Sequence, residues 1–305
     1  MIDIFIPSYH RPKNIKTAKF FVGNGYDAKK IHVFIDSEAD DREGYEKSCR
    51  KMGINLHVFD MDEARRRYDY IHRASESRRS AGQARNMFQD FAMANGIDFY
   101  VVQDDDTDKF QNRYMGRDIL TPPSFEMIVR WFDWMEAFMR KHRIGCFGMP
   151  QSGDFYGSTY RKLFKRKIMN TTFYLMPYVY RGERGVQDND TSMFVGMLNE
   201  GYFCGELVFG PTLVQMRSAT QSGGLTDLYN ECKLLNKSLI APIQFPSAIY
   251  GCRQKRNGGR LHHRIMYRYL APCLIKGERS NIEWDTYPED IPFTNEPKRV
   301  FSLNR

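Results

Sequence analysis

No run of this sequence is apolar for long enough to cross a bilayer, which takes about 20 consecutive apolar residues, so no membrane span is expected. The 6 cysteines (49, 146, 204, 232, 252 and 273) include no CxxC pair. That spacing argues against a zinc ribbon or a disulfide scaffold. Several of them sit inside apolar runs, as reduced thiols that pack like small hydrophobes do. Internal repeats and low-complexity tracts are also missing, which removes solenoids and fibrous classes. Met1 leads straight into a strand-like segment, so no signal peptide and a cytoplasmic protein are expected. A Gly-rich triphosphate loop is lacking near the N-terminus, which weighs against a nucleotidyltransferase.

What is present suits a globular enzyme. The chain has 305 residues, 42% hydrophobic and 14% aromatic, enough for one large domain with extensions or two small ones. Its net charge of +8 and pI near 9.1 point to a polyanionic partner. The basic run Arg161-Lys162-Leu163-Phe164-Lys165-Arg166-Lys167 contains an aromatic, a composition able to track a DNA backbone; the plainer alternative is a solvated face. Arginines at 65, 66, 67, 73, 78 and 79 add to the surplus.

Read in order, the first 60 residues alternate strand and helix. Strands are expected at Asp3–Pro7, Ile31–Ile35 and Ile54–Phe59. Helices are expected from Arg11-Pro12 to Gly23 and over 43–52. Such alternation predicts a parallel sheet with right-handed crossovers. Gln83 to Asn95 carries one apolar stripe and ends at Gly96, a natural helix stop. Ser124 caps a helix whose inner face is Ile128, Trp131, Phe132, Met135, Phe138 and Met139. Ile144–Met149 and Tyr202–Phe209 read as strands, and Thr171–Tyr180 as an edge strand or bend because of Pro177. A helix leads off after Gly185-Val-Gln-Asp188-Asn-Asp190. Further on, a helix near 226–237, a strand near 238–243 and a basic loop over 251–264 are expected.

The stretch that organises the rest is Ile97-Asp98-Phe99-Tyr100-Val101-Val102-Gln103-Asp104-Asp105-Asp106. A strand buried on both faces ends in three adjacent carboxylates, at the carboxyl end where open α/β sheets bind ligands. Adjacent carboxylates repel one another unless a cation or solvent intervenes. A hard ion, Mg²⁺ or Mn²⁺, suits such an oxygen-only tip; a solvated acidic turn is the alternative.

Three segments in this order resemble the GT-A class of nucleotide-sugar glycosyltransferases: Ile4-Phe5-Ile6-Pro7-Ser8-Tyr9 with Arg11, then Gly82-Gln-Ala84-Arg85-Asn86, then Asp104-Asp105-Asp106. The likeness covers roughly residues 1–210. Within the class the chain looks most like glycosyltransferases of modified DNA bases, both the base-J type and the bacteriophage enzymes acting on hydroxymethylpyrimidines. The resemblance implies an open, mostly parallel, Rossmann-like α/β sheet with helices on both faces. It implies a catalytic core over 1–215 and an extension over 216–305 that completes the site. It also implies a UDP-sugar donor, Mn²⁺ or Mg²⁺, double-stranded DNA as acceptor, and the host cytoplasm as the setting if a phage encodes it.

Residue by residue, the resemblance assigns Asp104 and Asp106 to the metal, while strand alternation turns Asp105 to the other side, toward the sugar hydroxyls. It assigns Pro7, Ser8, Tyr9, Arg11 and Arg85 to the donor, and Lys255 and Arg260 to the phosphates. His262 or His263 would complete the metal shell. Asp188 is the candidate general base with Asp190 as runner-up, although Gln187 stands where many relatives have Glu. A helix cap for Asp188, core packing for Tyr9, a surface arginine for Arg85 and solvated histidines are the alternatives. A carbohydrate, lipid or protein acceptor, or a non-catalytic nucleic-acid binder, are the competing functions.

Overall fold

The structure, a computed structural model, describes residues 1–67, 81–113, 120–149, 168, 171–176, 189–199, 204–206, 212–215, 238–254, 260–266 and 269. Strand β1 (Asp3–Pro7), helix α1 (Lys16–Gly23), β2 (Ile31–Asp36), α2 (Arg42–Met52) and β3 (Asn55–Phe59) follow one another, as the alternation predicts. Next come α3 (Met61–Arg67), α4 (Ala81–Ala94) and β4 (Phe99–Val102). A small ribbon, β5 (Phe110–Arg113) with β6 (Leu120–Thr121), precedes α5 (Phe125–His142), β7 (Cys146–Gly148) and β8 (Thr172–Leu175). The chain closes with α6 (Asn189–Asn199), β9 (Cys204–Glu206), β10 (Thr212–Gln215), β11 (Ile249–Gln254) and β12 (Arg260–Ile265).

Seven strands form one open sheet in the order β3-β2-β1-β4-β8-β7-β9. All its pairings are parallel except those of β8, which runs against both β4 and β7. The result is the α/β architecture expected, with a single reversed strand. Alternating residues divide the interior into two layers. Ile4, Ile6, Val101 and Phe173 face α1, α2 and α5; Phe5, Tyr100, Val102 and Tyr174 face α3, α4 and α6. On the second face Phe5 stacks on Tyr100 (4.6 Å between centroids) and Tyr100 on Tyr174 (5.2 Å), a ladder of rings across three strands. Each such buried side chain contributes on the order of 1.5–3 kcal/mol.

Helix α5 forms as its stripe predicts. Ser124 accepts a hydrogen bond from the Met127 amide at its start, and all six residues of the expected inner face are buried. At its other end Arg140 grips Asp98 with two bonds of 2.8 and 2.9 Å, tying the helix to the approach of the central strand.

Four expectations need correction. Helix α1 begins at Lys16, not at Arg11-Pro12; the preceding residues make a turn in which the Asn14 amide bonds to Arg11 O. Strand β8 lies inside the sheet, not at its edge, because its ladder stops at Leu175, short of Pro177. Residues 238–244 are helical, not extended: Ile240 and Ala241 are buried while Leu239 and Ile243, four apart, are exposed. Finally, 249–265 is an antiparallel hairpin, β11 with β12, where a basic loop was expected. The expected helix near 226–237 lies outside the described residues.

The edge of the sheet holds a linked polar cluster. His32 sits 3.0 Å from Asp3 through Nε2 and 2.9 Å from His57 through Nδ1, while Lys30 donates to Asp3. Burial first and His32 second push the His57 imidazole down from 6.5 to about 4. Burial alone would raise the Asp3 carboxyl, but its bonds to His32 and Lys30 prevail and hold it low. The unfolded chain takes up the His57 proton near pH 6.5, whereas the folded chain resists until about 4. Stability is therefore fully present above pH 6.5 and falls as the pH drops toward 4; Asp3 adds a loss below its own ordinary value. Urea unfolding across that window is expected to lose on the order of 1–2 kcal/mol, discounted for the partial exposure of His57. His57→Phe is expected to flatten the slope, and an unchanged slope would place the acid lability elsewhere.

Candidate active site at the strand switch point

The order of the strands reverses between β1 and β4. From β1 the chain builds outward through β2 and β3; from β4 the sheet continues the other way. The loops after these two parallel neighbours diverge and leave a crevice between them, the place where open α/β sheets bind ligands. The loop after β1 carries Ser8, Tyr9 and Arg11. The turn after β4 carries Asp104, Asp105 and Asp106. Pairing extends one step past β4, since the Gln103 amide donates to Phe5 O at 3.0 Å.

The first turn of α1 locks the acidic turn in place. The Thr17 amide, one of the donors a helix start leaves unused, bonds to Asp105 O at 3.2 Å. Thr17 Oγ1 donates to Asp104 O and accepts the Thr107 amide at 2.9 Å. A single buried threonine thus holds both shoulders of the turn.

Asp105 does not face outward, as simple strand alternation suggests. Alternation ends with the strand, and this carboxylate is buried at 4% exposure. It accepts from Ser8 Oγ (2.5 Å) and from Arg11 Nη1 (2.5 Å). The Tyr45 hydroxyl lies 2.8 Å from Ser8 Oγ and accepts the Arg11 amide at 3.0 Å. Burial raises the Asp105 carboxyl to about 6; Arg11 and Ser8 pull against that rise. Burial likewise keeps the Tyr45 phenol well above its ordinary range.

The two flanking carboxylates are more open. Asp104 lies 3.3 Å from Arg85 of α4, and Asp106 lies 3.6 Å from Arg11. Burial raises the Asp104 carboxyl most, Arg85 opposes the rise, and Asp106 reinforces it by like-charge repulsion. Three carboxylates therefore face two arginines, and the turn keeps a surplus of negative charge directed at the crevice.

Of the residues expected to meet the donor, Pro7 ends β1 beside Phe34 of β2. Tyr9 is partly exposed, with its ring edge-on to His10, so it is not a core residue. Arg85 is half-buried beside Asp104, with 12% of its side chain exposed, and not a fully exposed surface arginine. Asp190, in the first turn of α6, accepts the Thr191 amide at 2.9 Å. Strand β9, which follows α6 in the chain, pairs parallel with β7.

His262 and His263 lie on β12. His263 is 9% exposed and sits 3.3 Å from Thr191 Oγ1, while His262 Nδ1 accepts the His263 amide at 2.7 Å. Asp188, Lys255 and the run Arg161, Lys162, Lys165, Arg166 and Lys167 lie outside the described residues, as does the side chain of Arg260. Arg65 and Arg67, part of the expected basic surface, are paired with Glu38 and Asp62 and with Asp90 and Glu63.

Sequence reasoning missed Thr17, Tyr45 and Gln103. The first two bond to residues far along the chain, which no local pattern announces. Gln103 is wholly buried, and among the described residues its side-chain amide has no hydrogen-bond partner. A Gln between an apolar strand and an acidic triplet was a visible signal for a special environment.

Known proteins were then compared with the chain. A sequence model described as TET-Associated Glycosyltransferase matches residues 2–224. None of the curated proteins matches. Among solved structures, glucosyl-3-phosphoglycerate synthase from Mycobacterium tuberculosis in complex with Mg²⁺ and UDP is 12% identical, with a TM-score of 0.45 over 87% of this chain and 86% of that one. The same synthase with Mn²⁺, UDP-glucose and phosphoglyceric acid is 11% identical with a TM-score of 0.42 over the same shares. Likenesses this distant carry no argument about the site. The sequence match spans the sheet, the acidic turn and the start of α6, and by it this chain belongs to the TET-associated glycosyltransferase family.

Proposed function

We propose that the chain is a metal-dependent glycosyltransferase of the GT-A kind, moving a sugar from a nucleotide sugar, a UDP-sugar by preference, onto a 5-hydroxymethylpyrimidine in double-stranded DNA. One observation carries the reading: Asp104 and Asp106 stand together at the strand switch point, flanked by Arg85 and Arg11. Family membership supports glycosyl transfer and speaks against a non-catalytic binder.

The residues present fit a divalent ion. The donors are carboxylate oxygens, the turn carries more carboxylates than arginines, and Asp104 and Asp106 repel one another. Asp104 and Asp106 would hold the ion, with a histidine of β12, His262 or His263, completing its shell. Bound there, Mg²⁺ or Mn²⁺ would supply charge neutralisation for a leaving diphosphate.

The chain's own groups do the remaining work. Asp105 fixes Ser8 and Arg11, so the β1 loop presents a hydroxyl and a guanidinium in a set geometry to the donor. Tyr9, partly exposed on that loop, offers a face on which a nucleobase stacks. Arg85 carries a charge to the phosphates. Asp188, directly before α6, is the general base, and the helix dipole favours its ionised form. Asp190 already accepts the Thr191 amide, which favours Asp188 over it. Lys255 and Arg260 belong to the β11–β12 hairpin and its turn and are assigned to the phosphates.

For the acceptor, the support is the net charge of +8, the basic run and the TET association in the family's description. Topology adds to it. Met149 N bonds to Thr171 O at 3.1 Å, and Gly148 and Val102 both pair with Thr172. The residues flanking 150–170 therefore stand together beside the carboxyl end of β4. Arg161, Lys162, Lys165, Arg166 and Lys167 are assigned to the DNA backbone from that rim.

Incubation with a panel of nucleotide sugars, Mn²⁺ and hydroxymethylcytosine DNA, read by nucleoside mass spectrometry, is expected to yield a glycosylated nucleoside. Asp104→Ala with Asp106→Ala is expected to abolish it together with donor hydrolysis. Transfer to a carbohydrate, lipid or protein and none to DNA would replace the acceptor; no metal-dependent donor turnover in any arm would sink the enzyme reading. Asp188→Asn is expected to keep donor affinity and to cut turnover on the order of 10²–10⁴-fold; unchanged turnover would remove it from the role. Replacing Lys162, Lys165, Arg166 and Lys167 by Ala is expected to weaken duplex binding similarly for all sequences and to flatten its salt dependence. An unaltered salt slope would return that run to ordinary surface.

A further inference from the structure

The base of the C-terminal hairpin is built into the same interior as the catalytic half of the chain. Ala241, Ala248 and Ile249 are buried with Phe88 of α4, Tyr100 of β4 and Met193, Phe194 and Met197 of α6; Phe245 and Ile265 pack against the same group. The Met266 amide bonds to Ala248 O at 2.7 Å and closes the base of the hairpin. From this base β12 runs back along β11, with His263 paired to Gly251. Its inward side chain, His263, reaches Thr191 across 72 residues of sequence.

Thr191 is wholly buried in the first turn of α6, beside the buried Ser192 and ahead of the buried Met193, Phe194 and Val195. A buried hydroxyl without a partner costs about 1–3 kcal/mol, and the His263 ring supplies one at 3.3 Å. The contact falls three residues after Asp188 and one after Asp190. It ties the hairpin to the first turn of α6, the turn that holds Asp190 and follows Asp188 in sequence.

We propose that His263 is a positioning residue for the transfer reaction: through Thr191 it sets the N-terminal turn of α6, and with it the general base, and this makes the β11–β12 hairpin part of the catalytic apparatus. The proposal rests on the reading of Asp188 as that base. It also separates the paired histidines, giving His263 to the helix and not to a metal ion. Because the imidazole acts on the helix start and not on the donor, its loss falls on turnover and not on donor affinity.

The test is a double-mutant cycle in the full-length protein, with Mn²⁺-dependent hydrolysis of UDP-glucose as the rate and direct binding of UDP-glucose with Mn²⁺ as the second readout. His263→Ala and Thr191→Val are each expected to lower the rate constant on the order of 10-fold while donor affinity stays within about twofold. The double variant is expected to be no slower than either single one, because the two side chains act as one unit. Thr191→Ser, which keeps the hydroxyl, is expected to restore most of the rate. Additive losses, a Thr191→Ser variant as slow as Thr191→Val, or a loss of donor affinity instead of rate would each overturn it. Thermal unfolding of the same variants guards against a folding defect: Thr191→Ser is expected to match the parent protein, and slow hydrolysis in that well-folded variant counts against the proposal. A parent protein that hydrolyses no donor would overturn the functional reading itself, which keeps the two failures apart.

Discussion

A buried carboxylate joins the two halves of this site. Asp105 lies where burial alone would drive it toward its neutral form, and Arg11 and Ser8 are the groups that answer it. The bond is not between neighbours in sequence. It runs from the turn after the central strand to the loop after the first strand, across the crevice where the order of the strands reverses. Around it, Arg11 also lies 3.6 Å from Asp106, and the β1 loop is held by Tyr45 and by the Ser8 amide on Phe34 O at 3.1 Å. The acidic triplet is therefore not three equal ligands. Its middle member faces inward and organises; its outer members are the more open pair. The division explains how three adjacent carboxylates coexist: two arginines share the load, and the residual negative charge is confined to the pair that can use it.

How much of this was legible in the sequence depends on whether the signal was local. The central strand was plain, since Phe99 to Val102 is apolar throughout and the charge begins abruptly after Gln103. Helix α5 was plain too, with a serine cap and an unbroken stripe at helical spacing. The place of β8 was not, because strand order is decided by pairing and no periodicity encodes it; Pro177 suggested an edge to a strand that stops before it. The run Leu239-Ile-Ala-Pro-Ile243 was short and apolar, the kind of segment whose period cannot separate strand from helix. The hairpin β11–β12 was hidden by its own charges, which dominate over a weak alternation. Thr17 and Tyr45 could not have been found at all, since their partners lie tens of residues away.

The extension assigned to the end of the chain is not a separate cap in the part the structure describes. Its apolar residues share a layer with α4 and α6, so the central strand β4, these two helices and the hairpin settle against a common set of side chains. Aromatic rings give that layer its order. Phe5, Tyr100 and Tyr174 stack across adjacent strands, and Phe34 and Phe88 meet at a tilt of 54° beside them. Rings stacked in this way tolerate little sliding, so the register of β1 against β4, on which the crevice depends, is fixed from below as well as by the polar contacts above.

The reversal of β8 also decides where the chain tolerates change. The Met149 amide and the Thr171 carbonyl touch, so the ends of β7 and β8 stand side by side. Ile168, just before β8, is buried against Gly148 of β7 and shares the interior with α4 and α6. An insertion or deletion between the two strands is therefore borne between two anchored points, Met149 on one side and Ile168 on the other, and a change at Ile168 itself would reach the sheet.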